Sequence, residues 1–276
     1  MTVPNITLNN GVSIPQLGFG VWQVPAEDTE QVVLTALEVG YRSIDTAQAY
    51  HNEEGVGQAL RASGLPREEV FITSKLWNEF HGYDDALRTF DESLRRLGVD
   101  YIDLFLIHWP VTPLDRYVEA WRALERVYSE GRARAIGVSN FNVDHLTRLF
   151  DETETVPALN QIELHPEFIQ TELREFHAKH GIATEAWSPL GQGRGLLDRP
   201  ELAQIGAKYG KTPAQVTLRW HLQLGNIVIP KSVTPSRIRE NFQVFDFTLD
   251  EEDMARINAL DSGRRLGPDP ATFIGF

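Results

Sequence analysis

The chain alternates short apolar segments with amphipathic segments of helical length along nearly all of its 276 residues. Eight apolar runs, among them "VFITSKLW", "YIDLFLIHW" and "IATEAWSPL", are each followed by a stretch with helical periodicity. Consecutive strand–helix units give parallel strands that are covered by helices. Eight such units fit a closed barrel, and the chain length is close to that of one barrel domain. We therefore predict an α/β protein with a (β/α)8 TIM barrel.

Both ends of the sequence add elements to this barrel. The segment "ITLNNGVSI" places two short alternating runs around Asn-Gly, which predicts an N-terminal β-hairpin. The segments "PSRIRENF" and "LDEEDMARINAL" follow the eighth strand and predict extra C-terminal helices. No linker-like composition divides the chain, so we expect residues 1–276 to form a single domain. The rival fold is an open doubly wound sheet, but "GFGVWQ" lacks the third glycine of that fold's phosphate-binding turn.

Charge and composition exclude several classes of function. The net charge is -13, with 39 acidic residues against 26 Lys and Arg, which disfavours binding to nucleic acid or anionic membranes. The chain has no cysteine, so disulfides, thiol catalysis and cysteine-based metal sites are excluded. We see neither a signal-peptide pattern nor an apolar run long enough to span a membrane. We expect a cytoplasmic monomer with no nucleic-acid or membrane partner.

Polar and ionisable residues stand where the predicted strands end. In a barrel these strand ends open on one face, which carries the chemistry. Asp45, Lys75 and His108 end the second, third and fourth strands. Contact with solvent at a strand end would account for the polarity of any one of these residues. Burying a lysine and a histidine within apolar segments, however, costs free energy unless the two side chains have polar or charged partners. Gln161 lies within the sixth strand, and further polar or aromatic groups end the fifth, seventh and eighth strands: Ser139, Asn140, Trp187, Ser188, Lys231 and Ser232.

Six segments together resemble the aldo-keto reductase superfamily, and they occur in that family's order. They are "GYRSIDTAQAYHNEEGVG", "ITSKLW", "LFLIHWP", "RAIGVSNF", "NQIELHP" and "IPKSVTPSRIRENF". The resemblance covers nearly the whole chain. Within the superfamily, the sequence is most similar to the bacterial 2,5-diketo-D-gluconate reductase group. It implies a barrel that reduces aldehydes and ketones with NADPH. The substrates of such a barrel include keto sugars like 2,5-diketo-D-gluconate, methylglyoxal and other small carbonyls.

By this resemblance Tyr50 is the proton donor, assisted by Lys75, Asp45 and His108. A free tyrosine has a pKa near 10, and a neighbouring ammonium lowers that pKa. A buried carboxylate such as Asp45 would keep Lys75 charged, although a purely structural ion pair is the alternative. A neutral His108 would orient the substrate carbonyl or share in proton donation. No histidine motif for metal binding is present, so no metal is expected.

The segment "PKSVTPSRIREN" predicts a phosphate site. Thr234 is predicted as the N-cap of a helix whose N-terminus attracts anions. Lys231 and Arg237 nearby favour the 2′-phosphate of NADPH, whereas an NAD site more often carries an acid. Trp187 is expected to stack on the nicotinamide. The predicted cofactor-binding residues are Ser139, Asn140, Gln161, Trp187, Ser188, Leu190, Gln192, Gly193, Lys231, Ser232, Val233, Thr234, Arg237, Glu240 and Asn241.

Three indoles are predicted to line the substrate cleft. Trp22, Trp77 and Trp109 follow the first, third and fourth strands and, with His108, would exclude water around the carbonyl. The sequence leaves the physiological substrate open. It also leaves two other functions open: a cofactor-binding module that serves a partner, and a hydrolase with Asp45 and Glu163 as paired carboxylates.

Overall fold

A computed structural model describes residues 2–275 of the chain. The predicted hairpin is present as β1 (Asn5–Thr7) and β2 (Ser13–Pro15), paired antiparallel. Its buried Ile14 packs in one apolar cluster with residues of the barrel strands, including Leu104 and Leu159. The hairpin therefore closes one end of the barrel with apolar side chains and leaves the other end for polar groups.

Eight strands form one parallel sheet in chain order. The closing contact is a parallel bridge between Leu17 and Val228, supported by a 2.8 Å hydrogen bond from the amide of Gly18 to the carbonyl oxygen of Val228. This contact brings the first and last strands together, so the predicted barrel is confirmed and the open sheet is wrong. The strands are β3 (Phe19–Gly20), β4 (Ser43–Asp45), β5 (Phe71–Leu76), β6 (Ile102–Ile107), β7 (Ala133–Ser139), β8 (Leu159–Glu163), β9 (Ala183–Trp187) and β10 (Ile227–Val228).

Helices surround the sheet, and their apolar faces form the larger of the two hydrophobic clusters together with apolar residues of the strands. None of the helices within residues 2–275 is long and apolar enough to cross a membrane. The helices are α1 (Ala26–Val39), α2 (Glu53–Ser63), α3 (Tyr83–Leu97), α4 (Tyr117–Ser129), α5 (Val143–Glu152), α6 (Thr171–His180), α7 (Pro200–Tyr209), α8 (Pro213–Gln223), α9 (Pro235–Phe242) and α10 (Glu251–Asn258). The two last of these are the extra C-terminal helices that the sequence predicts.

The first and last barrel strands are shorter than the apolar segments that predict them. After β3 the chain turns at Gln23, which adopts a left-handed φ of 59°, before α1 begins. After β10, Pro230 has no N–H to donate to a ladder, although its carbonyl still accepts from Gly20 at 3.1 Å. Lys231 and Ser232 consequently lie in the loop that leads to α9 and not on a strand.

Helices α2 and α3 approach closely at Gly57, where a Cβ atom would overlap the carbonyl oxygen of Leu97. Alanine is the better helix former by about 1 kcal/mol. We nevertheless expect Gly57→Ala to lower the free energy of unfolding by about 1–3 kcal/mol, because the helices must separate. Urea unfolding measures this change. Gln58→Ala, at an exposed position of the same helix, is the control and should stay within about 0.5 kcal/mol. A stabilised Gly57→Ala protein would contradict the close packing.

Candidate active site

A buried ion pair lies at the carboxyl ends of β4 and β5. Asp45 is in register with Thr73, so Lys75 stands two residues further along the neighbouring strand. The Nζ atom of Lys75 lies 2.6 Å from Oδ1 of Asp45 and 3.3 Å from the hydroxyl of Tyr50. It also donates to the carbonyl oxygen of Thr46 at 3.0 Å. Tyr50 is carried by the 3₁₀ turn Gln48–Tyr50, which follows β4, so three of the four predicted catalytic residues meet directly.

The charges of this group follow from burial and from its partners. Burial acts to lower the pKa of Lys75, but the Asp45 carboxylate and Tyr50 outweigh it, and the pKa is raised. Lys75 therefore remains an ammonium. Burial raises the pKa of Tyr50 by more than Lys75 lowers it. Lys75 acts to lower the pKa of Tyr50, as expected, but desolvation of the phenol exceeds this effect, so the pKa lies above its usual value.

The other oxygen of Asp45 leads to a second carboxyl group. Nε2 of Gln161 donates to Oδ2 of Asp45 at 2.7 Å and to Oε2 of Glu185 at 2.8 Å. Glu185 is 1% exposed, and burial together with Asp45 raises its pKa to about 8. The sequence prediction missed Glu185. The available signal was a carboxyl group within the apolar segment "IATEAW", two residues before Trp187.

His108 joins this group to an aromatic wall. Its ring meets Tyr50 and Trp77 edge-on, with centroids 5.7 Å and 5.1 Å away, and lies parallel to Trp109 at 6.5 Å. Burial and the charge of Lys75 hold the pKa of His108 well below its usual value, so the imidazole is neutral, as expected. Trp22 lies on the rim after β3, 44% exposed, and makes no ring contact with the other two indoles in the part of the chain described.

Four of the predicted cofactor-binding residues form a network that continues from Asp45. Ser139 is in register with Gln161 and donates to its carbonyl oxygen at 2.7 Å. Asn140, held at a φ of 62°, donates from Nδ2 to the carbonyl oxygen of His108 at 3.0 Å. Its Oδ1 accepts from the indole N–H of Trp187 at 2.8 Å. The structure thus brings Ser139, Asn140, Gln161 and Trp187 beside the catalytic group.

The loop after β9 carries a second set of predicted residues. Ser188 and Gln192 adopt left-handed φ values of 51° and 55°, and Nε2 of Gln192 donates to Oγ of Ser188 at 2.6 Å. Leu190 and Gly193 lie within the same turn. These backbone angles turn the chain sharply away from the strand end, so the loop follows the rim beside Trp187.

A third set surrounds the start of α9. Thr234 precedes the first helical residue, as predicted, but its side chain does not cap the helix. The N–H groups of the first turn therefore lack a side-chain acceptor. Lys231 and Arg237 are exposed and form no salt bridge with any residue in 2–275, and Val233 beside them is also exposed. Oγ of Ser232 accepts from the Thr234 amide at 3.1 Å.

The end of α9 carries two further predicted cofactor-binding residues. Oε1 of the Glu240 carboxylate accepts a hydrogen bond from Oγ1 of Thr212 at 2.8 Å. That bond joins α9 to the start of α8. Asn241 is buried on the same helix. The carboxylate of Glu240 therefore helps to hold α9 against α8.

The C-terminal tail runs over the mouth of the barrel. Buried Glu163 accepts from the amides of Leu266 and Gly267 at 2.6 Å and 2.8 Å, and from Nε2 of His165 at 2.9 Å. Gly267 lies so close to Trp187 that a Cβ there would come within 2.5 Å of the indole. Further on, Phe273 packs on Trp109 with centroids 4.4 Å apart. The tail therefore forms one wall of the cleft.

Within residues 2–275, no three His, Cys, Asp or Glu side chains are grouped so that they could hold a metal ion.

Comparison with known proteins assigns this arrangement to a family. Residues 16–262 match the Aldo/keto reductase family. An aldo-keto reductase of Mycolicibacterium smegmatis is 60% identical over 270 residues, 98% of each chain. The methylglyoxal reductase DkgA of Escherichia coli is 54% identical over 272 residues, also 98% of each chain. A mutant of Gox0644, solved in complex with NADPH, is 49% identical with a TM-score of 0.95 over 99% of each chain. The chain belongs to the aldo/keto reductase family, as the sequence predicts.

The tail contact at Gly267 can be tested without any assay of function. Gly267 does not have a positive φ, so Gly267→Ala adds only a methyl group, which would collide with Trp187. We expect this variant to lose about 1–3 kcal/mol of unfolding free energy and to release the tail to limited proteolysis. Pro268→Ala, at the exposed neighbouring position, is the control. Equal protease resistance of the two variants would show that the tail does not depend on this contact.

Proposed function

We propose that Tyr50 supplies the proton in the reduction of aldehydes and ketones to alcohols by this aldo-keto reductase, with NADPH as cofactor. The observation that carries the proposal is the chain of contacts from Asp45 through Lys75 to the Tyr50 hydroxyl, 2.6 Å and 3.3 Å long. When the phenol gives up its proton, the phenolate that remains is negatively charged. The adjacent ammonium stabilises this charge in the buried site.

The three side chains divide the work of proton transfer. Reducing a carbonyl requires a hydride on carbon, which NADPH supplies when bound, and a proton on oxygen. The raised pKa of Tyr50, caused by burial, keeps the phenol protonated until the substrate oxygen becomes basic. Lys75 then stabilises the phenolate, with each unit of pKa worth about 1.4 kcal/mol. Asp45 keeps Lys75 charged, and neutral His108 donates to the substrate oxygen or shares in the protonation.

The polar groups around the mouth fit NADPH. Lys231 and Arg237 have no acidic partner within residues 2–275 and flank the open N-terminus of α9, which suits the 2′-phosphate. A close relative of known structure, the Gox0644 mutant, binds NADPH. Near the catalytic group, Ser139, Asn140 and Gln161 would hold the nicotinamide carboxamide and Trp187 would stack on the ring. The loop residues Ser188, Leu190, Gln192 and Gly193 would contact the pyrophosphate, with Ser232, Val233, Thr234, Glu240 and Asn241 completing the set.

The substrates that fit best are small aldehydes and dicarbonyls such as methylglyoxal, with keto sugars like 2,5-diketo-D-gluconate as the wider class. Trp77, Trp109 and Phe273 form an apolar wall beside His108 and Tyr50, with Trp22 at the rim. The relative DkgA is named a methylglyoxal reductase. A panel of these carbonyls assayed with purified enzyme, comparing kcat/KM, tests this assignment.

The hydrolase alternative has less support. Both oxygens of Asp45 are engaged, by Lys75 and by Gln161, and those of Glu163 hold the tail.

Turnover of a carbonyl substrate by the wild type distinguishes the reductase from a cofactor-binding module. A single domain, a monomeric state, a cytoplasmic location and the lack of nucleic-acid partners stay predictions. Light scattering of the purified chain measures the oligomeric state.

We expect Lys75→Met to reduce kcat by a factor of about 10² or more, because the phenolate loses its counter-charge. NADPH affinity, measured by quenching of tryptophan fluorescence, should change less than about threefold, since Lys75 is fully buried behind Tyr50. Tyr50→Phe should show the same pattern. Lys179→Met, an exposed lysine of α6, is the control. Loss of NADPH affinity in step with kcat would contradict the role given to Lys75.

We expect Arg237→Ala to weaken binding of NADPH by about tenfold or more and to leave binding of NADH nearly unchanged, because only NADPH carries the 2′-phosphate. The matched control is Arg239→Ala, a second exposed arginine on the same short helix. The dissociation constants of both cofactors are measured for each variant. Parallel losses for NADPH and NADH would remove Arg237 from the phosphate site.

A further inference from the structure

Glu185 is a buried carboxyl group inside the barrel that the proposed proton transfer does not use. It stands on β9 in register with Gln161 of β8 and Ile227 of β10. Its Oε2 accepts from Nε2 of Gln161 at 2.8 Å, and the same nitrogen reaches Oδ2 of Asp45 at 2.7 Å. One amide group thus joins two carboxyl groups, one of which holds the charge of Lys75.

The charge balance of the interior determines the state of Glu185. The only cation in this group is Lys75, and Asp45 already neutralises it. A second carboxylate would leave an uncompensated negative charge in a closed, apolar environment, which is costly. Burial and the charge of Asp45 accordingly raise the pKa of Glu185 to about 8. Glu185 is therefore protonated at neutral pH and loses its proton in mildly alkaline solution.

The same contacts fix the orientation of Gln161. The reverse orientation would place its carbonyl oxygen against the Asp45 carboxylate, where two acceptors would face each other. The two N–H groups must therefore point at Asp45 and Glu185, and Oε1 accepts no side-chain or backbone hydrogen bond from residues 2–275. Glu185 is the second of the two acceptors that hold this orientation.

The groups that face Glu185 come from every neighbouring element. β10 contributes the apolar Ile227, and β8 contributes Gln161, which does not titrate. The charged neighbours are Asp45 of β4 and Lys75 of β5. Tyr50 lies beyond Lys75, and His108 beside it is neutral. A negative charge on Glu185 raises the pKa of Tyr50, so it makes the phenol a weaker proton donor.

We propose that Glu185 is a positioning residue that holds Gln161 in one orientation, and that its ionisation sets the alkaline limit of proton transfer from Tyr50. The proposal rests on the proposed function, since it concerns the same proton. When Glu185 releases its proton to solvent, the phenolate that must form on Tyr50 lies near two carboxylates and one ammonium. Carbonyl reduction then slows, although no residue that touches the substrate has changed.

The test compares the wild type with Glu185→Gln, which keeps an acceptor for Gln161 but cannot ionise. The rate kcat for reduction of one carbonyl substrate is measured at saturating NADPH between about pH 6.5 and pH 9.5. We expect the wild-type rate to fall by about fivefold or more through a step near pH 8, and the variant rate to change less than about twofold. A step of the same size in both proteins would overturn the proposal.

Glu163→Gln is the matched control, because Glu163 is the other buried carboxylate on the neighbouring strand. Burial opposes its ionisation, but His165 and the amides of Leu266 and Gly267 outweigh burial and hold the pKa of Glu163 below its usual range. It stays ionised throughout the assay, so Glu163→Gln should keep the alkaline step. Loss of the step in this control as well would assign it to general damage of the barrel and would overturn the proposal.

Two further measurements keep the orientation and the function separate. Glu185→Leu removes the acceptor as well as the charge, so we expect its KM for NADPH to rise about fivefold, whereas Glu185→Gln stays within about twofold. An unchanged KM in Glu185→Leu would overturn the positioning role.

The ionisation of Glu185 can also be measured without turnover, from the infrared band of its protonated carboxyl group. This band should disappear near pH 8 in the wild type. An enzyme that shows this titration but reduces no carbonyl would contradict the proposed function and not the ionisation of Glu185.

Discussion

The ion pair between Lys75 and Asp45 is the interaction on which the rest of the site depends. An ammonium without exposure to water would lose its proton if it stood alone, and a carboxylate 2.6 Å away prevents this. Removing one partner from such a pair leaves an uncompensated buried charge, which costs about 3–5 kcal/mol. The groups of the proposed proton transfer are reached from this pair: Tyr50 through Lys75, and Gln161 with the network beyond it through Asp45.

The barrel creates the conditions that make this pair effective. Parallel strands in register place the side chains of Asp45, Lys75, Gln161 and Glu185 inside one interior, although they are up to 140 residues apart in sequence. Apolar residues of the hairpin close one end, and the tail lies over the other with Phe273 on Trp109. All four side chains are buried between these layers, so their charges act on one another more strongly than they would in solution.

Two buried glutamates on adjacent strands show how strongly the partners decide the chemistry. Glu163 accepts from two backbone amides and from His165, and it remains ionised while it fixes the tail against Trp187. Glu185 shares a single donor with Asp45, so burial prevails and its pKa rises to about 8. The same residue type therefore serves as a fixed anchor on one strand and as a group that titrates near neutrality on the next.

The sequence alone determined the barrel, its hairpin, the extra helices and the strand-end positions of Asp45, Lys75 and His108, because periodicity and strand-end polarity are local properties. Tyr50 was identified through the family resemblance. The six family segments extended this to the reaction and the cofactor. Tertiary structure decided what depends on burial and on distances between remote residues. It raised the pKa of Tyr50, placed Trp22 apart from the other indoles, tied Glu240 to Thr212, and set Glu185 against Gln161. Such outcomes follow from desolvation and from contacts across the barrel, and a linear pattern contains neither.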